Sequence, residues 1–278
     1  MSMKKKHISY SNTGRFSKII IDYLSKEQTL DHFYSKSLST NNLKIQAKKK
    51  IKAFSGLNRK ILVKNLKTQY KNVEISNAVK KNLDLLSKKN SVTVTTGHQL
   101  SLMTGPLYFI VKIISTINIV EKLNSLYKNI NFVPIYWMAS EDHDFEEISS
   151  FNYKSKKIKW ETNQSGVVGK MKLNELELSL NYFEKKLNNS KNSQEIIKLI
   201  NSSYRSSKNL SEATLKIVNS LFGRYGLIII DGDSKSLKNN FKEYMKSEIL
   251  NNKCHDIVLS QIKKIKKEYN SKFKPQVN

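Results

Sequence analysis

The 278-residue chain carries 49 lysines and arginines against 23 aspartates and glutamates, a formal net charge of +26, with 38% hydrophobic residues. That is enough for a sizeable core, and no run of about 18 or more apolar residues offers a membrane span. Only Arg15, Arg59, Arg205 and Arg224 are arginines, so the excess is dispersed lysine, which reads as solvated surface and makes nucleic acid an unexpected partner.

In chain order, the start MSMKKKHISYSN is basic but no apolar stretch follows, so it does not read as a secretion signal. With Cys254 as the lone cysteine, a reducing cytoplasm is expected. Residues 1–90 form a helical lead-in: SKIIIDYLSK, LNRKILVKNLKTQYKN and ISNAVKKNLDLLSKKN space their apolar residues by three and four. From Ser91 the period changes. SVTVTT predicts a strand, PLYFIVKIISTINIVEKLNSLY a buried helix opened by Pro106, and FVPIYWMA a second buried strand. Strand, helix and strand make a βαβ unit whose right-handed crossover lays the strands parallel, so 91–147 begins an α/β Rossmann-like core. Residues 148–209 interrupt it as an inserted subdomain, with hairpin-like strands in ISSFNYKSKKIKW and GVVGKMKL and helices in LNYFEKKLNN and SQEIIKLINSS. The core resumes over 210–278. LSEATLKIVNSLFGRYG is an amphipathic helix opened by a Ser/Glu pair and closed by Gly226, LIIIDGD is a third strand, and a helix follows from near Ser236.

In an open parallel sheet, ligands bind beyond the carboxyl ends of the strands. The segments there, TTGHQLSLMTG, ASEDHDFEE and DGDSKS, hold the densest polar chemistry of the chain. Gly97 and Gly105 are expected where the backbone turns or nears a ligand, and the helix starting at about Pro106 aims its free N–H groups at an anion. Neither a dinucleotide fingerprint nor a Walker motif is present. Glu141, Asp142, His143, Asp144, Glu146 and Glu147 can be read as acid–base or metal-binding groups, or as caps at a helix start.

Thr96-Gly97-His98-Gln99, Leu102-Met103-Thr104-Gly105-Pro106-Leu107-Tyr108, Pro134-Ile135-Tyr136-Trp137-Met138-Ala139, Glu141-Asp142-His143-Asp144-Phe145-Glu146-Glu147 and Leu221-Phe222-Gly223-Arg224-Tyr225-Gly226 closely resemble the bacillithiol biosynthesis cysteine-adding enzymes over about residues 50–278. The resemblance implies a nucleotidyltransferase-like core and a ligase that joins cysteine to the amine of glucosaminyl-malate, with ATP as the candidate activator of the carboxyl and any metal left open. On that pattern Asp142, His143 and Asp144 orient the amine and take its proton. Gly97, His98, Gln99, Thr104 and Gly105 hold an anionic group of substrate or nucleotide, and Asp231 and Asp233 bind a hydroxyl or the cysteine ammonium. His98 stands where members can carry glutamine, which makes Gln99 the shared group. Members are roughly twice as long, and at Lys274-Pro275-Gln276-Val277-Asn278 they would continue toward a C-terminal coiled coil, a candidate homodimer contact. The alternatives are a lysine-driven polyanion- or RNA-binding protein without enzymatic activity, and an inactive remnant of the ligase.

Overall fold

The change of period near residue 90 coincides with the first strand. A computed structural model describes residues 6–269; the ending Lys274–Asn278 lies outside the described residues. The chain divides into two compact units, one formed by residues 1–43 and 241–278 and the other by residues 44–240. In the first, α1 (Lys18–Ser25) carries Asp22, whose carboxylate pairs with Lys18 and accepts the Tyr269 hydroxyl at 2.9 Å.

The second unit holds every residue of the expected site. Leading into it, α2 (Thr40–Ala53) is a helix that the sequence reading passed over; only Ala47 of it is buried, so its apolar periodicity is weak. Then come α3 (Gly56–Gln69) and α4 (Asn77–Leu86), each capped by a serine: Ser55 accepts from the Asn58 N–H, and Ser76 from that of Val79. Strand β1 (Ser91–His98), helix α5 (Leu107–Leu126) and strand β2 (Asn131–Met138) make the anticipated parallel βαβ unit, in register from Ser91 opposite Asn131 to His98 opposite Met138. Pro134 is tolerated in β2 because pairing on its other side starts only at Ile135, so the missing donor falls where the strand has one neighbour.

After the short helix α6 (Phe145–Ile148), β3 (Ser150–Tyr153) and β4 (Lys156–Lys159) pair as the expected hairpin. The segment GVVGKMKL is not a strand. Its Val168–Lys170 stretch is a single 3-10 turn, because its donors are committed elsewhere: Val168 N–H to the Asp142 carbonyl at 2.8 Å and Gly169 N–H to that of Ser140 at 3.0 Å. Helices α7 (Leu176–Glu184) and α8 (Lys191–Ile200) follow. Trp160, Val168, Leu180, Ile200 and Tyr204 of this stretch are buried in the same cluster as Val133, Ile135 and Tyr136 of β2.

Helix α9 (Leu210–Phe222) is capped two residues earlier than expected: the Asn209 side chain, not Ser211, accepts the Glu212 N–H at 3.0 Å. Strand β5 (Ile228–Asp231) then pairs parallel with β2, from Ile135 opposite Ile228 to Met138 opposite Asp231, and gives the order β1-β2-β5. β2 and β5 are almost wholly buried, whereas β1 alternates between exposed and half-buried. Helices α10 (Lys235–Asn251) and α11 (Lys253–Tyr269) complete the described chain, in which no helix is long and apolar enough to cross a membrane.

Candidate functional site

Because all three strands run parallel, His98, Met138 and Asp231 end at one edge of the sheet. Backbone bonds tie the departing loops together, Ala139 N–H to the His98 carbonyl at 3.2 Å and Gly232 N–H to the Met138 carbonyl at 3.0 Å. β1 runs two residues further than its alternating pattern suggests, so Gly97 and His98 belong to the strand rather than to a turn. At Gly97 a Cβ would meet nothing closer than the Trp137 side chain at 3.8 Å. The His98 ring meets Phe109 edge-on at 5.1 Å, and its Nδ1 lies 3.2 Å from the Gln99 carbonyl, which selects the Nδ1–H tautomer. Burial and then nearby Lys112 hold its pKa below the usual value, against the Gln99 bond, so at neutral pH it is a neutral hydrogen-bonding group.

The turn after β1 is built against backbone preference. Leu100 and Leu102 are buried, and Met103, Thr104 and Gly105 then take φ of 52°, 67° and 52° in succession. Gly105 is required: a Cβ there would lie 2.4 Å from that of Ser101. The Met103 N–H donates to the buried Tyr204 hydroxyl at 2.9 Å, an anchor 101 residues away. Such strain persists only where surroundings over-determine it, and it concentrates at binding sites. The turn delivers the chain to α5, whose cap is Pro106, so no side chain caps the first N–H groups of this 20-residue helix.

After β2, the Gln99 amide donates to Asp142 at 2.9 Å, and the other Asp142 oxygen accepts the N–H groups of His143 and Asp144 at 2.7 and 3.2 Å. The Gln99 bond, followed by these two and outweighing burial, holds the Asp142 carboxyl below the usual carboxylate range. The His143 side chain is 91% exposed, with Nδ1 3.7 Å from Asp142. Asp144 caps α6 by accepting the Glu147 N–H at 3.4 Å. Among the described residues, no three histidine, cysteine or acidic side chains converge as a metal set.

After β5, Asp231 accepts the Ser140 hydroxyl and, at 2.9 Å, the Asp233 N–H. Burial pushes the Asp233 carboxyl up, but ion pairs with Lys170 and Lys238 outweigh it and hold the group charged. Several contributors escaped the sequence reading: Gln69 of α3 brackets β5 through the Ile229 carbonyl and the Asp231 N–H, Lys112 donates to the Gly97 carbonyl, and Lys170 reaches Asp233. Their partners are 15 to 162 residues distant in sequence, and no local pattern marks them.

A groove of about 860 Å³ runs along α3, lined by Phe54, Arg59, Lys60, Lys64, Lys67 and Lys71 among others. It lies toward the opposite end of β1, where the Arg59 guanidinium binds the carbonyls of Leu86 and Ser91. Its walls are lysines, Arg59, Thr68, Ser87 and apolar side chains, with no carboxylate among them.

Residues 3–278 match the family described as "Bacillithiol biosynthesis BshC, N-terminal Rossmann-like domain". Proteins named "Putative cysteine ligase BshC" are similar to the chain: 46% identical over 270 residues in Flavobacterium psychrophilum, 44% over 269 in Flavobacterium johnsoniae and 39% over 274 in Christiangramia forsetii. Each alignment covers 97% of this chain and 51% of the relative, so the chain spans about half the length of the curated relatives it matches. With a parallel β1-β2-β5 sheet, the crossover helix and the family match agreeing over nearly the whole length, the chain belongs to the BshC family of bacillithiol biosynthesis as its N-terminal Rossmann-like domain.

Proposed function

We propose that the chain works in a cysteine ligase that forms an amide between the carboxyl of L-cysteine and the amine of glucosaminyl-malate. The observation that carries this reading is the shared edge of three strands, where the strained 103–105 turn and the start of α5 follow β1 and Gln99 at the end of β1 pairs with Asp142 after β2. The start of α5 after this turn, whose cap supplies no side-chain acceptor, suits a phosphate or carboxylate. ATP, when bound there, would supply the activation that an uphill amide synthesis requires. Gly97 would let a ligand approach β1, and Gln99, Thr104 and neutral His98 would donate or accept around it. His143, exposed beside the charged Asp142, would take the proton of the attacking amine, with Asp142 supporting the imidazolium. Asp144 would contribute mainly through the start of α6. Asp231 and Asp233 would bind hydroxyl groups of the sugar. A cytoplasmic location and a homodimer belong to the same proposal.

Mass spectrometry of the thiols formed from cysteine, glucosaminyl-malate and ATP tests it. Product at the mass of the amide is expected. The His143→Ala variant should then turn over about 10²–10⁴-fold more slowly with an unchanged unfolding midpoint, the range for a lost acid or base. No amide, or an equally active variant, would contradict the respective claim. The lysine-lined groove favours a second reading, polyanion binding without catalysis. In that case RNA affinity would fall steeply with salt and no amide would form.

A further inference from the structure

The carboxylates that follow β2 and β5 differ in what they have left to give. Asp142 accepts three hydrogen bonds, Asp144 caps α6, Asp231 accepts two, and Asp233 is paired with two lysines. Glu141 keeps an unused oxygen. Its Oε1 accepts the indole N–H of Trp137 at 3.2 Å, while its Oε2 is closed off from solvent and has no partner. The oxygen occupies the space that any side chain at residue 232 would take: a Cβ on Gly232 would lie 2.0 Å from it. Trp137 is the exception in β2, 37% exposed between buried Tyr136 and Met138, with its ring beside Gly97 of β1. A carboxylate oxygen that has lost water and gained no donor costs stability, and turning it off Gly232 toward a ligand ammonium would relieve that cost.

We propose that Glu141 and Trp137 form a subsite for a primary ammonium group, the carboxylate as ion-pair partner and the indole as a cation–π face. Resting on the ligase reading, the assignment goes to the α-ammonium of cysteine rather than to the amine of the sugar. A neighbouring carboxylate favours the protonated form of an amine. That would disable the sugar amine, which must lose its proton to attack, but it suits the cysteine amine, which must stay out of the reaction. Glu141 would therefore select an α-amino acid and keep its own amine from being acylated.

Calorimetric titration of the full chain with L-cysteine and with 3-mercaptopropionate, which lacks the ammonium, tests the subsite, beside thermal unfolding of each variant. L-cysteine should bind at least tenfold more tightly than 3-mercaptopropionate. Glu141→Gln should remove that advantage, leave 3-mercaptopropionate unaffected, and unfold at the same or a higher temperature because an unpartnered charge is gone. Trp137→Phe, which keeps an aromatic face and loses the N–H, should fall between. Equal wild-type affinity for the two ligands, no cysteine binding, unchanged cysteine affinity in Glu141→Gln, or a destabilised Glu141→Gln would each overturn the proposal. Amide product from wild type alongside any of those results would sink the subsite and spare the ligase reading. Selective ammonium binding without product would do the reverse.

Discussion

Asp142 shows how one residue joins the two loops of the site. Its carboxylate receives Gln99 from the end of β1 and two backbone donors of its own loop, and together these hold it charged. Its folded pKa is depressed, so its contribution to stability is fully present above the unfolded value of about 3.9 and is lost as pH falls through the lower, folded value. Asp142→Asn should therefore unfold earlier than wild type at neutral pH, and the gap should close as the buffer is taken below about pH 4. Denaturant midpoints across that range check it; a gap independent of pH would mean that the carboxylate charge contributes nothing. Asp142 stood out in the sequence because ionisable residues after a buried strand need a use, and Gln99 through the resemblance that makes it the shared group. Their pairing did not, because 43 residues and a helix separate them. Asp144 is instead a helix cap, its carboxylate turned to its own helix.

At the scale of elements, alternation disclosed β1, helical spacing α5 and α9, and short continuous apolar runs the almost wholly buried β2 and β5. The weakly buried α2 and the 168–170 turn were missed for two different physical causes: one buries too little to show a period, and the other is held by hydrogen bonds to a remote loop. Two glycines that looked alike in the sequence have opposite demands. Gly105 has φ of 52° and no room for a Cβ, whereas Gly97 lies in extended β1 with its nearest neighbour at 3.8 Å. Gly105→Ala should cost about 1–3 kcal/mol or more through strain and collision. Gly97→Ala should leave stability unchanged or raise it by up to about 1 kcal/mol, the usual gain over glycine in a strand. Equal losses in chemical denaturation of the two variants would show that the turn after β1 is not the strained element described.

For the molecule as a whole, the net charge of +26 says little about where chemistry happens, since lysines cover surfaces far from the strand ends as well as near them. Topology says more: parallel pairing of β1, β2 and β5 brings three separate loops to one edge, and the βαβ pair and the third strand were readable while the strand order and the long-range ties of Gln69, Tyr204 and Lys170 were not. The competing concavity is the groove on α3. Hydrogen–deuterium exchange with and without saturating cysteine, glucosaminyl-malate and ATP separates the two directly. Slowed exchange confined to residues 99–109, 139–145 and 231–234 is the predicted result. Protection confined to residues 54–71 and 87–89, with those three segments unchanged, would contradict a ligand site at the carboxyl edge of the sheet.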